Sequence, residues 1–322
     1  MHADARLVQP AGAGEGDGMA PTLTIERLAE PGPEHRAAID RVLDAYNNAA
    51  SGRADAARWF GVLVDDARGA PTGGAICVSY WDWVFVDILH LPETMRGQGV
   101  GTRVMRAVEA EARRRGCIGV WLETGTYQAP GFYRKLGYRE FARLPEMAPG
   151  VTRHSFLKTQ LQDAPQHGVR ILDDPPPTMR ALVRDGLIAY NDGRAGATKR
   201  LLVAVVTRSD PGGAITGGLW GRISRNWMFV ELLIVPEGAR GRGHGSALLR
   251  RAEDAARAEG CRGVHLDTFS FQARPFYERH GYQVIGEIPD YPAPHRRYFL
   301  AKRLDGSPVL PEVAHTQAKG AA

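Results

Sequence analysis

The sequence predicts a duplicated α/β domain, each copy a mixed sheet with helices on its faces. Three observations carry that expectation. Trp83 to Tyr138 lies without a gap over Trp227 to Tyr282 at a shift of 144 residues, with close to half of the positions identical. Each copy orders its apolar patterns as several strands first, then strand, helix, strand, helix, strand. Each copy also carries a glycine-rich loop, Arg96-Gly97-Gln98-Gly99-Val100-Gly101 and Arg240-Gly241-Arg242-Gly243-His244-Gly245, between a strand and an amphipathic helix.

Taken in order, residues 22–25 read as a short strand and 34–47 as a helix, with 169–172 and 178–191 as counterparts. Ala45-Tyr46-Asn47 over Ala189-Tyr190-Asn191 shows that the repeat reaches back this far. Strands follow at 59–64, 74–80 and 84–91, and again at 201–206, 214–222 and 228–235. Turn signals such as Arg68-Gly69-Ala70-Pro71 and Asp210-Pro211-Gly212-Gly213 separate them. After each glycine loop Val104, Met105, Val108 and Ala112, or Leu248, Leu249, Ala252 and Ala256, share one helical face, and Gly116 and Gly260 end the helices. Buried strands at 118–123 and 263–267 lead to short helices at 128–136 and 272–280. The last strands are 138–143, 153–157, 283–287 and 297–300. The expected division is a leader at 1–20, a first domain at 21–161, a linker at 162–168, a second domain at 169–304 and a loose tail at 305–322. The halves are expected to pack as two subunits of a homodimer would, hiding sheet edges.

Composition bounds the function. A chain of 322 residues has room for two domains, and 43% hydrophobic with 24% charged residues is an ordinary globular balance. No apolar run is long enough to span a membrane and the first twenty residues lack the apolar core of a signal peptide, which predicts a cytoplasmic protein without a membrane partner. Cys77, Cys117 and Cys261 stand far apart, neither a disulfide framework nor a metal-ligand spacing, and are expected to be small buried hydrophobes. A net charge of +5 without a basic block argues against a nucleic-acid partner; a polyanionic cofactor explains it equally well.

The glycine loops carry the chemistry. Glycine lets backbone N–H groups approach an anion closely, the helix N-terminus adds a favourable dipole, and Arg96 and Arg240 add phosphate-binding side chains. A phosphate loop of the nucleotide-hydrolase type would need Lys before Thr102 or Ser246, and there is none. A dinucleotide fold would place the loop after an early strand, and here at least three strands precede it. The residues resemble the GNAT superfamily of N-acetyltransferases over nearly the whole of both repeats. Its loop pattern (Gln or Arg, two residues, Gly, one residue, Gly or Ala) is matched by both loops. Its second signature is matched by Ala129, Phe132-Tyr133 and Gly137-Tyr138, and by Ala273, Phe276-Tyr277 and Gly281-Tyr282.

The resemblance implies two tandem acyl-CoA N-acyltransferase domains, with acetyl-CoA as cofactor and no metal. It places the coenzyme pyrophosphate at Arg96, Gly97, Gln98, Gly99, Val100, Gly101 and Thr102, and at Arg240, Gly241, Arg242, Gly243, His244, Gly245 and Ser246. The pantetheine arm would pair with Leu89, His90 and Leu91, or Leu233, Ile234 and Val235, and meet Phe132 and Phe276. Gln128 and Gln272 stand where the family often has Asn. Tyr133 and Tyr277 match the family's general acid toward the leaving sulfur, and a phenol with an ordinary pKa of about 10 is protonated at neutral pH, as an acid must be. Asp87 and Glu231, equivalent carboxylates inside apolar strands, are candidates for the base or for salt bridges. The longer Glu231 favours the second copy as the fully active one.

Four weaker candidates remain. Asn47 and Asn191 read most simply as helix-end caps, or else as acceptor contacts. Glu123 and Asp267 either order the cleft loop or attract a cationic amine. His90, His244 and His265 read as structural, and Arg113-Arg114-Arg115 as a solvated helix end. The expected reaction is direct acetyl transfer to the primary amine of a small molecule. Acetylation of a protein N-terminus or lysine, and ligand binding with one or both halves silent, are the alternatives.

Overall fold

In a computed structural model, the described residues are 23–54, 56–163, 167–198 and 200–310. The expected leader, the middle of the expected linker and the end of the tail lie outside them.

The elements of the first half are β1 (Thr24–Arg27), α1 (Pro33–Ser51), β2 (Arg58–Asp65), β3 (Pro71–Tyr80), β4 (Trp83–His90), α2 (Val100–Arg114), β5 (Gly119–Gly125), α3 (Pro130–Lys135), β6 (Arg139–Ala148) and β7 (Val151–Lys158). Those of the second are β8 (Arg170–Asp173), α4 (Pro177–Ala195), β9 (Arg200–Arg208), β10 (Ile215–Ser224), β11 (Trp227–Ile234), α5 (His244–Ala258), β12 (Gly263–Phe269), α6 (Arg274–Arg279), β13 (Gln283–Ile288) and β14 (Arg297–Arg303). The period-two strands and amphipathic helices fall where the apolar pattern places them. Helices α1 and α4 run further than expected, to Ser51 and Ala195, with proline at the first helical position of each; Gly52 ends α1 in the left-handed region. Asn47 and Asn191 are therefore interior to their helices, and the cap reading is corrected. The expected loose tail begins later than residue 305, because Val309 is buried beside Trp227 and its N–H donates to Gln283 Oε1.

Two seven-stranded sheets result, ordered β6-β7-β5-β4-β3-β2-β8 and β13-β14-β12-β11-β10-β9-β1. Each is antiparallel except for one parallel pair, β4–β5 or β11–β12. The edge strands are exchanged: β1 of the first half pairs with β9, and β8 of the second half pairs with β2. The following helix goes with its strand. Ile39 of α1 is buried against Ala204, Val206, Trp220, Leu232 and Ile234, while Val183 of α4 is buried against Leu63 and Ile76. Each sheet is thus closed on one face by a helix from the other half, and on the opposite face by its own α2 or α5. The expected division at 162–168 separates the repeats in sequence, but the folded units cross it.

A further apolar cluster joins the halves directly. Trp81, Trp83, Trp121 and Leu157 meet Phe269, Ile288, Tyr291 and Phe299, and Trp83 Nε1 donates to the Asp290 carbonyl at 2.9 Å. Burial of this many large rings is a substantial apolar stabilisation, since each is worth about 1.5–3 kcal/mol. Strand β13 approaches β6 so closely that a Cβ at Gly286 would lie 2.5 Å from that of Ala142. All three cysteines are buried and none forms a disulfide.

Candidate active site

Each glycine loop leads from a short 3-10 turn into α2 or α5, with Gly97, Gly99, Gly241 and Gly243 in the left-handed region. A Cβ built on any of these four would meet nothing within 4 Å, so the loop faces open space. The N–H groups from Gly97 to Thr102, and from Gly241 to Ser246, find no backbone acceptor among the described residues, the first helical turn's donors being orphans by geometry. Arg96 Nε donates to the Leu91 carbonyl at 2.9 Å and Arg240 Nε to that of Val235 at 3.1 Å. The terminal guanidinium nitrogens of both have no acceptor among the described residues. Donors without partners, on open glycine backbone at a helix N-terminus beside an arginine, fit a pyrophosphate. Gly101 and Gly245 are tight for another reason: a Cβ there would lie 3.3 Å from Phe132 or Phe276, which ties α3 and α6 to the cradles.

Several other loop side chains bond back to the protein, while Arg242 is exposed. Gln98 donates to the Thr94 carbonyl, His244 Nδ1 lies 3.0 Å from the Ala239 carbonyl, and Ser246 Oγ meets His280 Nε2 at 2.9 Å. Val100 is buried.

The strands beside the cradles splay. The parallel pairing of β4 with β5 ends at Val86–Leu122, and that of β11 with β12 at Val230–Leu266. Beyond those points the backbone edges of 87–90 and 231–234 have no ladder partner on that side among the described residues, which leaves a slot where an extended arm can pair. Leu89 and Leu233 pack toward the cores, and Leu91 and Val235 are buried. His90 lies against Gly186 of α4, where a Cβ would come within 2.5 Å of its ring, and burial lowers its pKa.

Both candidate carboxylates sit on β-bulges. Ile76 pairs with Ile88 and Cys77 with Val86, skipping Asp87; Trp220 pairs with Leu232 and Gly221 with Val230, skipping Glu231. A bulge re-aims a side chain that strict alternation would send elsewhere, and bulges recur beside active sites. Their surroundings differ. Glu231 accepts a hydrogen bond from Arg222 and has Arg36 at 3.7 Å. Asp87 has no ion-pair or hydrogen-bond partner among the described residues, because Val78 stands where the second half has Arg222. Asp87 is reachable from the cavity yet ringed by protein. This desolvation raises its pKa, with Arg222 and Arg180 opposing.

Tyr133 and Tyr277 are buried, and burial pushes both phenols well above their ordinary value. Neither hydroxyl has a partner among the described residues. Tyr277 lines the second cleft; Tyr133 is not among the residues lining the first. The side chains of Gln128 and Gln272, read by resemblance as cofactor contacts, are hydrogen-bonded to protein. Gln128 Oε1 accepts from Thr124 Oγ1 and the Gly125 N–H, and its Nε2 donates to Asn191 Oδ1 at 2.9 Å. Gln272 repeats this with Thr268, Phe269 and Asn47 at 2.7 Å. Glu123 and Asp267 are paired with Arg153 at 3.3 Å and Arg297 at 2.8 Å.

The first cavity, of about 780 Å³, opens between the halves and holds Asp87, Trp121 and Gln128 together with Asn191, Arg222 and His265 of the second half. The second, of about 510 Å³, holds Glu231, Gln272 and Tyr277 with Asp40, Asp44 and Asn47 of α1. Sequence reasoning missed Arg222 and read His265 as structural; its ring stacks on Phe229 in the cavity wall, and the imidazole is held neutral by burial and by the nearby Arg153 and Arg222. The signal available was divergence between otherwise matching repeats: Arg222 over Val78 and His265 over Trp121. No group of three or more His, Cys, Asp or Glu among the described residues could hold a metal, and no helix among them is long and apolar enough to cross a membrane.

Comparison with known proteins follows the same division. The model of the acetyltransferase (GNAT) family matches residues 22–138 and again 171–282. An acetyltransferase of Agrobacterium fabrum is 39% identical over 121 residues, which are 38% of this chain and 88% of that protein. Blasticidin-S acetyltransferase of Streptomyces morookaense is 44% identical over 92 residues, 28% of this chain and 68% of that protein. A crystal structure of an acetyltransferase from Agrobacterium tumefaciens aligns with 41% of this chain and 96% of its own at 36% identity and a TM-score of 0.39.

Proposed function

Because the chain belongs to the GNAT family of acetyltransferases, through two copies of its domain, we propose that it transfers the acetyl group of acetyl-CoA to the primary amine of a small molecule, by direct attack with both substrates bound. The observation that carries this reading is the repeated arrangement of an open glycine cradle, a splayed strand edge and a bulged carboxylate. Cavities of about 780 and 510 Å³ suit a small acceptor. The Streptomyces relative, named for blasticidin-S as its acceptor, supports the same class.

When bound, the coenzyme supplies an activated thioester and a thiolate leaving group. The chain supplies the rest. The cradle N–H groups and Arg96 or Arg240 hold the pyrophosphate. The free edge of 87–90 or 231–234 aligns the arm, and its N–H groups polarise the carbonyl. Asp87, open to the cavity, without a partner among the described residues and with its pKa raised, takes the proton from the ammonium; Tyr133 or Tyr277, kept protonated by burial, returns one to the leaving sulfur.

The first site has the more available base, although of the two tyrosines only Tyr277 lines its own cleft. The first site's carboxylate has no partner among the described residues, whereas Glu231 is held by Arg222 and lies near Arg36. This reverses the preference that side-chain length suggested.

The test is amine-dependent release of CoA thiol across a library of small primary amines. Asp87→Asn should slow the wild-type rate about 10²–10⁴-fold, and Glu231→Gln should slow it far less. A library that elicits no thiol release above hydrolysis, or equal losses in the two variants, would count against this reading.

A further inference from the structure

The exchanged helices do more than cover sheets. Tyr190 of α4 lies under the Arg96 guanidinium, 4.5 Å from Cζ to ring centroid, and its hydroxyl donates to the Tyr127 carbonyl. The next residue, Asn191, accepts from Gln128, which in turn fastens Thr124 and Gly125 at the end of β5. That turn starts α3, whose Phe132 packs on Gly101 of the first cradle. One tyrosine-asparagine pair from the second half thus holds both the arginine and the far wall of the first half's cradle.

The second cradle repeats the arrangement with the halves reversed. Tyr46 of α1 lies under Arg240 at 4.6 Å and donates to the Phe271 carbonyl at 3.0 Å, and Asn47, itself buried, accepts from Gln272. Phe276 packs on Gly245. Two independent copies of the same contact set, each crossing between the halves, argue against chance packing. The physical effect is preorganisation. Each arginine has its Nε on a carbonyl and its face on a ring, so its terminal N–H groups meet an anion with little rotamer entropy left to lose.

We propose that Tyr190 and Asn191 are positioning residues for the first acyl-CoA cradle, and Tyr46 and Asn47 for the second, so that each site is completed in trans by the other half. The proposal rests on the acyl-CoA reading of the cradles, and its test separates the two.

The probe is acetyl-CoA, titrated calorimetrically into the full chain. Gly243→Glu leaves only the first cradle able to bind, and Gly99→Glu only the second; Thr102→Glu and Ser246→Glu, at helix N-terminal positions that accept a carboxylate, provide the same separation if the glycine variants melt early. In the Gly243→Glu protein, Tyr190→Leu should weaken acetyl-CoA binding about tenfold, while Tyr190→Phe, which keeps the ring under Arg96, should restore most of it. In the Gly99→Glu protein the same loss should follow Tyr46→Leu. Asn191→Asp, which retains an acceptor for Gln128, should bind more tightly than Asn191→Leu. The reverse pairing, with Tyr46→Leu weakening the first cradle, would overturn completion in trans. So would equal binding by the Leu and Phe variants. Wild-type protein that takes up no acetyl-CoA would instead overturn the reading of the cradles, and the proposal with it.

Discussion

At the scale of single residues, the two bulged carboxylates show how one changed neighbour alters a site. Asp87 and Glu231 occupy the same bulge in the two sheets, yet only Glu231 faces an arginine on the adjacent strand. Desolvation raises the Asp87 pKa, so the folded protein holds that proton more tightly than the unfolded chain does. The ionised carboxylate therefore costs stability. The cost is absent below the unfolded value of about 3.9 and grows as pH rises through the folded one. Because Asp87 is open to the cavity solvent, the effect is small: Asp87→Asn is expected to melt slightly higher than wild type at neutral pH, and the difference to vanish in acid; scanning calorimetry at the two pH values checks this. Tyr133→Phe keeps the ring in its cluster and removes a hydroxyl without a partner among the described residues, so it should lower kcat with little change in melting temperature. Glycine cradles and tyrosines were legible in the sequence because each motif is local. Arg222 and the Gln128–Asn191 bond were not, because they join residues that the chain keeps far apart and that only the pairing of the halves brings together.

At the scale of elements, the order of strands and helices followed from apolar periodicity, while the destination of β1 and β8 did not. Two copies of one domain present nearly the same receiving edge and face, so the pattern of a strand-helix unit does not say which sheet will take it. In the fold α1, ending at Ser51, lies on the second sheet while β2, starting at Arg58, belongs to the first, and α4 and β9 are divided in the same way. Ile39→Ala opens a cavity between α1 and the second sheet and should cost about 2–5 kcal/mol. Amide exchange followed by mass spectrometry should then show faster exchange in β9, β10 and β11. Faster exchange confined to β2 and β3, the neighbours of α1 in the chain, would contradict the exchange of elements.

At the scale of the whole molecule, the exchange makes the halves mutually dependent. Each sheet lacks an edge strand and a covering helix unless the other half is present, and the aromatic cluster of Trp81, Trp83, Phe269 and Tyr291 joins them again. A protease site inserted after Asp163 and then cut should leave two fragments that co-elute in size exclusion under native conditions; fragments that separate would show that the connection, not the packing, holds them together. The same arrangement preserves two cradles within one chain while letting their acceptor walls diverge, with Ile188 in the first where the second has Asp44.

The central claim is that both glycine loops are working acyl-CoA sites. Its most direct test is the stoichiometry of acetyl-CoA binding by the full chain, measured by calorimetric titration for wild type and for the Gly99→Glu and Gly243→Glu variants separately. The structure predicts two sites in the wild type and one in each variant. A single wild-type site, abolished by one substitution and untouched by the other, would contradict the claim and leave one half as scaffold.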